Sequence, residues 1–159
     1  MKFICNKDTI LSVVQTTSKA AAGKSSIQAL EGILMELEGN TLTVTGYDLD
    51  IGIKTSIEVE GIESGNIVIS AKMAVDIIRK MPSGSITFEC SGNNLAEITN
   101  NMTSFSVSCS SADDYPNVPQ VNPDTSFTMP QKLLKSMIIQ TKFAVAVVDS
   151  KPALMGCKF

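Results

Sequence analysis

Hydrophobic and polar residues alternate along most of the first part of the chain. The longest alternation covers residues 51–59, where Ile51, Ile53, Ile57 and Val59 are separated by polar or small residues. A period of two is typical of a β-strand with one buried face, so the pattern predicts a protein rich in β-sheet. Strands are predicted at residues 1–5, 32–37, 41–45, 48–59, 66–69, 85–90, 95–99 and 103–109.

Two segments carry apolar residues at the spacing of a helix instead. In residues 7–21 they recur on one side, and Asn6 precedes them as a candidate N-cap. Residues 71–81 show the same pattern after Ser70, and a Pro-Ser-Gly sequence follows it. The order β-α-β-β-β therefore occurs in residues 1–60 and again in 66–109. This predicts an α+β fold of two duplicated units, with helices on one face of antiparallel sheets.

The sequence pattern at the start of the chain recurs after a segment rich in Asp, Pro and Asn. Residues 112–124 are predicted to be a linker, because each X-Pro step favours extended backbone. When the segment beyond it is aligned with the start of the chain at an offset of 124 residues, Phe127 matches Phe3 and Leu134 matches Ile10. The repeat predicts a third helix, and the chain ends within what would be a strand. Since a lone half-repeat cannot bury its apolar face, we expect the N-terminal piece of a longer protein.

Composition excludes several classes of protein. The chain of 159 residues is 43% hydrophobic and 18% charged, which argues against disorder. It has no His and no Trp, which excludes His-based catalysis and leaves few groups for base stacking. The four cysteines lack metal-ligand spacing, so we expect free structural thiols and neither metal nor cofactor. No signal peptide or membrane span is indicated, so we expect a cytoplasmic protein without membrane contact.

Charge is distributed unevenly. The three predicted helices hold eight of the 13 basic residues and two of the 16 acidic ones, a net charge of +6, while the remainder carries −9. In the second helix Lys72, Arg79 and Lys80 share one face, opposite an apolar face. Solvated faces of ordinary amphipathic helices are the simpler interpretation. If the helices align, however, they form a basic surface for phosphate groups, without base reading. The helical basic residues are Lys7, Lys19, Lys72, Arg79, Lys80, Lys132, Lys135 and Lys142.

Several stretches together resemble one known family. They are Met1-Lys2-Phe3, Thr45-Gly46-Tyr47-Asp48-Leu49-Asp50, Ser70-Ala71-Lys72, Arg79-Lys80-Met81-Pro82-Ser83-Gly84, Ser104-Phe105-Ser106-Val107-Ser108, Ala112-Asp113-Asp114-Tyr115-Pro116-Asn117 and Phe127-Thr128-Met129-Pro130. In this order they resemble the N-terminal portion of the bacterial DNA polymerase III β subunit family, the replicative sliding clamps.

The resemblance implies a sliding-clamp fold and a non-enzymatic role. Residues 1–120 would form clamp domain one, 121–126 a linker, and 127–159 the start of domain two. Members of the family form homodimeric rings that encircle double-stranded DNA without reading its sequence and act as processivity factors. The implied protein partners are the DNA polymerase III α subunit and the clamp loader.

The resemblance also implies roles for individual residues. The DNA-contacting positions fall on Lys24, Lys72, Arg79 and Lys80. Subunit-contact positions fall on Phe105 and Val107, for which a core-facing strand is the alternative interpretation. Lys151 and Leu154 match part of a pocket for partner peptides. The charge on the helices adds Lys7, Lys19, Lys132 and Lys135 to the candidate DNA-binding set.

Two other hypotheses remain open from the sequence. Asp48 and Asp50 would share a face if both lay on a strand, as the paired carboxylates of a metal-dependent hydrolase can. More often such a pair ends a turn and begins a strand. The second hypothesis is a β-rich module that binds a ligand other than DNA.

Overall fold

The computed structural model describes residues 1–92, 94–119, 126–148 and 152–158. The chain divides into two compact units, Met1–Pro119 and Gln120–Phe159, which are treated separately below. No helix within these described residues has both the length and the apolar character needed to cross a bilayer.

Within its described residues, the first unit contains nine strands and two α-helices. The helices are α1 (Lys7–Thr17), which continues as a 3-10 turn (Ser18–Ala20), and α2 (Ala71–Lys80). The strands are β1 (Lys2–Asn6), β2 (Gly32–Glu38), β3 (Thr41–Tyr47), β4 (Gly52–Glu58), β5 (Glu60–Glu63), β6 (Gly65–Ser70), β7 (Ser85–Cys90), β8 (Leu95–Thr99) and β9 (Ser104–Ser110).

All ladders in the sheet are antiparallel, and their order is β4-β3-β2-β6-β9-β8-β7-β1-β5. The two ends of this order, β4 and β5, are consecutive along the chain and are separated only by the buried Val59. The sheet therefore closes on itself through one bent strand, which limits its free edges.

The predicted duplication is confirmed by the pairing pattern. Each β-α-β-β-β unit contributes its first strand to the other unit, because β1 pairs with β7 and β6 pairs with β2. The last strands of the two halves are equivalent too. In the first half, β4 pairs with β3 and its continuation β5 pairs with β1. In the second half, β9 pairs with both β8 and β6. The exchange makes each unit depend on the other, so Met1–Pro119 is one structural unit rather than two.

The helices lie against the core face of the sheet. Phe3 and Phe88 are register partners on β1 and β7, and their rings stack with centroids 5.1 Å apart. Val14 on α1 and Ile78 on α2 are buried in the same cluster. Burial of such a side chain contributes about 1.5–3 kcal/mol, which fixes the helices to the sheet.

Two predicted boundaries were wrong by four residues, and one strand was not predicted as a separate element. The first α-helix ends at Thr17 rather than residue 21, because the chain tightens into the 3-10 turn Ser18–Ala20. The strand expected from residue 48 begins at Gly52, because Asp48 accepts hydrogen bonds within a turn. The sequence pattern also missed β5, whose residues show no alternation of burial.

Part of the predicted linker is a packed segment. Tyr115 is buried beside Leu30, Tyr47 and Val68, and its hydroxyl donates to the carbonyl oxygen of Thr45 at 3.3 Å. A tyrosine can be buried in this way because its ring is apolar and its hydroxyl has a partner. The linker interpretation was therefore wrong for residues 112–119, and residues 120–125 lie outside the described part of the chain.

The second unit repeats the local structure that follows β1. Helix α3 (Gln131–Thr141) and the 3-10 turn Lys142–Ala144 match α1 and its 3-10 turn at the offset of 124. Individual hydrogen bonds repeat as well. Ala22 N–H donates to the Leu30 carbonyl at 2.8 Å, and Ala146 N–H donates to the Leu154 carbonyl at 2.9 Å. The expected internal repeat is thus confirmed in its local geometry.

Candidate nucleic-acid interface

The candidate interface is built on the helix pair of the first unit. Helices α1 and α2 pack side by side. An open groove of about 420 Å³ lies between the end of α1 and the start of α2, and its lining includes Ser18, Gly23 and Lys72. At the opposite end, the N–H of Lys7 donates to the carbonyl of Gly84, just beyond α2, at 2.9 Å. The two helices therefore run in opposite directions, and each end of the pair combines residues from both.

Helix α2 presents its basic residues to solvent. Ser70 caps the helix by accepting a hydrogen bond from the N–H of Met73 at 3.4 Å. The predicted apolar face is buried and comprises Ala74, Ile77, Ile78 and Met81. On the other side Lys72, Arg79 and Lys80 are exposed, as the helical period predicted. Arg79 and Lys80 lie in the last turn, where their charges also complement the helix dipole.

The loop after α1 borders the same groove and carries a second exposed basic residue next to it. Lys24 is exposed and follows Gly23, which lines the groove together with Lys72. Glu31 holds this loop, because its Oε1 accepts a hydrogen bond from the N–H of Ser25 at 3.2 Å. Sequence reasoning missed this role of Glu31, since a contact between residues six apart has no signature in the periodicity.

The exposed basic side chains of the helix pair form no ion pairs with described carboxylates. Among the described residues, no carboxylate lies within 4.0 Å of Lys19, Lys24, Lys72, Arg79 or Lys80. An unpaired surface cation can bind a phosphate without first breaking an ion pair. Glu31 and Asp76 also line the groove and reduce its positive potential locally.

Lys7 differs from the other candidates. Its side chain is only 11% exposed, and its Nζ lies 3.4 Å from Oδ1 of Asp8. Lys7 therefore has both less exposure and a competing carboxylate, and it is the least available of the sequence-predicted DNA-binding residues in this unit.

The strands carry seven of the 16 acidic residues, whereas α1 and α2 carry only Asp8 and Asp76. Those on β2, β4, β5, β7 and β8 are Glu36, Glu38, Glu58, Glu60, Glu63, Glu89 and Glu97. The basic residues of the sheet have different surroundings from those of the helices. Lys2 forms an ion pair with Glu89 at 2.8 Å, and its hydrogen bond lowers the pKa of Glu89. Lys54 on β4 alternates with the less exposed Ile53 and Thr55, so it points away from the core.

The expected subunit-contact residues lie on β9, largely turned toward the core. Val107 is 6% exposed, and Phe105 is partly buried against the same cluster. This is the core-facing arrangement that the sequence left as the alternative. The backbone of β9 is only partly paired. On one edge, Ser104–Ser108 pair with β8. On the other edge, only Cys109 and Ser110 pair with β6. The other edge near Phe105 thus has no ladder partner among the described residues.

The remaining candidates belong to the second unit. Lys132 and Lys135 are exposed on α3, and Lys142 is exposed in the following 3-10 turn. Leu154 is 56% exposed. Lys151, its expected partner in the peptide pocket, lies outside the described residues.

The geometry removes the basis for the paired-carboxylate hypothesis. Asp48 Oδ1 accepts hydrogen bonds from the N–H groups of Asp50 at 3.0 Å and Ile51 at 2.7 Å. These donors lower the pKa of Asp48, which stabilises its charged form within the turn. Since Asp48 and Asp50 precede β4, they do not share a strand face. No group of three or more Cys, Asp or Glu suited to a metal ion occurs among the described residues.

Comparison with known proteins identifies the family. A family model described as DNA polymerase III beta subunit, N-terminal domain, matches residues 1–119. The beta sliding clamp of Halalkalibacterium halodurans is 32% identical over 167 residues, covering 100% of this chain and 44% of the relative. The beta sliding clamp of Bacillus subtilis is 32% identical over 164 residues, covering 98% of this chain and 43% of the relative.

Solved structures agree with the sequence comparison. The Bacillus subtilis sliding clamp superimposes with a TM-score of 0.84 and 31% identity, covering 96% of this chain and 42% of that one. The beta subunit from the DNA polymerase of Streptococcus pyogenes gives a TM-score of 0.86 and 26% identity, with coverages of 96% and 42%. The chain spans less than half the length of each of these relatives. It belongs to the DNA polymerase III beta subunit family, the sliding clamps, and contains that family's N-terminal domain.

Proposed function

We propose that this chain supplies part of a ring-shaped sliding clamp that encircles duplex DNA and tethers the replicative polymerase. In this proposal residues 1–120 are clamp domain one, 121–126 a linker and 127–159 the start of domain two. The ring acts without catalysing a reaction, and it works in the cytoplasm. Its partners are DNA, the DNA polymerase III α subunit, the clamp loader and, for a complete subunit, a second copy.

The helix pair is the observation that carries this proposal. Its two ends present exposed basic side chains free of described carboxylate partners, whereas the strands carry many of the acidic residues. Phosphates would be attracted to the helices and repelled by the acidic strands. Lys72 lines the groove, Lys24 directly follows the groove-lining Gly23, and Arg79 and Lys80 lie at the other end of α2.

The chemistry of these groups suits a ring that slides. Lysine and arginine bind phosphate oxygens, which are the same for every base pair, so their contacts carry little sequence information. A closed ring remains on DNA for topological reasons, so a few weak contacts suffice and leave motion along the duplex fast. In domain two the exposed Lys132 and Lys135 of α3 would contact phosphates, although the offset of 124 places them on Asp8 and Leu11 of α1 rather than on basic residues.

Two further surfaces are proposed for protein partners. The free edge of β9 beside Phe105 could pair with a strand of the neighbouring subunit, with Val107 stabilising the strand from the core side. The exposed Leu154 would contribute apolar surface to a pocket for partner peptides, together with Lys151.

Duplex binding by the 159-residue chain tests the DNA-contacting role. Four phosphate contacts predict a slope of log K against log salt of about −3.6, so a fourfold rise in salt weakens binding by roughly 150-fold. The variant with Ala at Lys24, Lys72, Arg79 and Lys80 should lose most of this slope. The measurement is fluorescence anisotropy of a labelled duplex at about 20 mM salt and above, where screening is weak.

Lys54→Ala provides the matched control, because this exposed lysine lies on β4 and points away from the core. It should retain the affinity and salt slope of the unmodified chain, apart from its small effect on net charge. Equal losses in the control and the four-residue variant would contradict the proposal. So would unchanged binding by the four-residue variant, which would favour a β-rich module for another ligand.

A further inference from the structure

Two cysteine thiols lie in contact at the junction between the two halves of the sheet. Cys90 is the last residue of β7 and Cys109 is the penultimate residue of β9, so β8 separates their strands. Their Sγ atoms are 3.2 Å apart, although the residues are 19 positions apart in the chain. A disulfide requires the two sulfurs to approach to about 2.05 Å, and because β8 lies between the two strands, the backbones of β7 and β9 must move toward each other for the bond to form.

The pair is partly accessible from solvent. Cys109 contributes to the lining of an open groove of about 620 Å³ on the Val68 face of the sheet, but its side chain packs with Cys90 against the core cluster on the other face. Both cysteines are partly exposed. A small uncharged oxidant can therefore reach Cys109, and Cys90 lies directly beside it.

The N-terminal ammonium lies close to the pair. The Met1 ammonium donates a hydrogen bond to the carbonyl oxygen of Cys90 at 3.1 Å, and Cys90 N–H donates to the carbonyl of Met1 at 2.9 Å. The positive charge favours the thiolate form of Cys109. Burial and the neighbouring Cys90 thiol act more strongly and raise the pKa of Cys109 to about 12, so its reaction at neutral pH is slow and requires excess oxidant.

The other two cysteines have different surroundings. Cys5 is buried, and burial raises its pKa to about 12. Cys157 is exposed in the second unit, near the hydroxyl of Thr141. Cys90 and Cys109 are thus the only thiols with their sulfur atoms in contact among the described residues.

We propose that Cys90 and Cys109 form a redox modification site, which peroxides convert into an intramolecular disulfide. In the first step Cys109 sulfur attacks one peroxide oxygen, the O–O bond breaks, and a sulfenic acid and one water form. In the second step Cys90 sulfur attacks the sulfenic sulfur, the S–S bond forms, and a second water leaves. The two sulfurs lose two electrons in total, and hydrogen peroxide accepts them.

The disulfide would join β7 to β9 across β8. It closes a loop between residues 90 and 109 and thereby restricts the unfolded chain. It also anchors the C-terminal end of β9 independently of the backbone ladders. The chemistry does not depend on DNA binding, so it can hold even if the proposed function fails.

Peroxide treatment of the Cys157→Ser chain tests the proposal, because this background lacks the exposed thiol of the second unit. Hydrogen peroxide in excess should remove two of the three remaining thiols and lower the intact mass by two hydrogen atoms. A peptide map without reductant should contain one cross-linked species, between Cys90 and Cys109. The melting temperature should rise on oxidation and return to its starting value after reduction.

Cys90→Ala in the same background isolates the first step. Without its partner, the Cys109 sulfenic acid should be trapped by a dimedone-type reagent, and no cross-link should form. If this variant does not fold, the peptide map of the Cys157→Ser chain still shows whether the cross-link between Cys90 and Cys109 forms. Sulfinic acids without a cross-link, a cross-link through Cys5, or unchanged thiols would each overturn the proposal.

Discussion

Substitution of Gly46 by alanine should displace α1 from the sheet. Gly46 lies on β3, and a Cβ atom added there would be 2.0 Å from the carbonyl oxygen of Thr17 and 2.9 Å from its carbonyl carbon. Ordinary C···O contacts begin near 3.3 Å, so the backbone must move by more than about 1 Å. Thr17 is fully buried, and its hydroxyl donates to the carbonyl of Val13 at 3.0 Å, which leaves the end of α1 little room.

The expected cost of Gly46→Ala is about 3 kcal/mol, at the upper end of the usual range for overpacking, because the obstructing atoms are backbone atoms. For a unit of this size the melting temperature should fall by roughly 10 °C. Urea unfolding followed by circular dichroism gives the free energy of unfolding, and a thermal scan gives the melting temperature.

Gly23→Ala is the matched control, since no atom lies within 4 Å of a Cβ added at Gly23. It should leave the free energy of unfolding unchanged or raise it by up to about 1 kcal/mol, because alanine restricts the unfolded chain. A Gly46→Ala chain as stable as the Gly23→Ala chain would refute the close approach of β3 to α1.

Two other substitutions test the packing of the first unit by urea unfolding. Tyr115→Phe should lower stability by about 1 kcal/mol at pH 7, because the hydrogen bond to Thr45 is lost. Burial raises the pKa of Tyr115 from 10.0 to about 12. The contribution of Tyr115 to the free energy of unfolding is therefore constant below pH 10 and falls between pH 10 and 12. The advantage over phenylalanine should shrink across that window, and a pH-independent difference would contradict the assignment. Leu49→Gly should raise stability by about 0.5–1 kcal/mol, because Leu49 is exposed and has a φ of 82°. Leu95→Gly, which alters an exposed strand leucine, should instead destabilise, and equal effects of the two changes would contradict backbone strain at Leu49.

Local periodicity predicted most of the elements of the first unit, though not β5, but it could not predict their pairing. The alternation in β4 and the helical period in α2 are properties of neighbouring residues, and both are confirmed. The exchange of β1 and β6 between the two halves depends on contacts distant in sequence. Tyr115 shows the same limit, since its Pro-rich surroundings predicted a linker while a distant apolar cluster holds it in place.

The candidate site was predictable to a similar extent. The helical period alone places Lys72, Arg79 and Lys80 on one exposed face. The proximity of the Lys24 loop to Lys72 depends on the fold, because it requires the antiparallel packing of α1 and α2. Counting charges also overestimated the availability of Lys7 for DNA, because its limited exposure and its ion pair with Asp8 are visible only in three dimensions.

Lysine acetylation of the 159-residue chain, with and without duplex DNA, tests most directly whether the helix pair is the DNA-binding surface. Mass spectrometry measures the modification rate at each lysine. Lys24, Lys72 and Lys80 should react more slowly in the presence of DNA, while Lys2 and Lys54 on the sheet should react at unchanged rates. Protection of the sheet lysines, or equal rates at the helix lysines with and without DNA, would contradict a phosphate-binding surface on the helices.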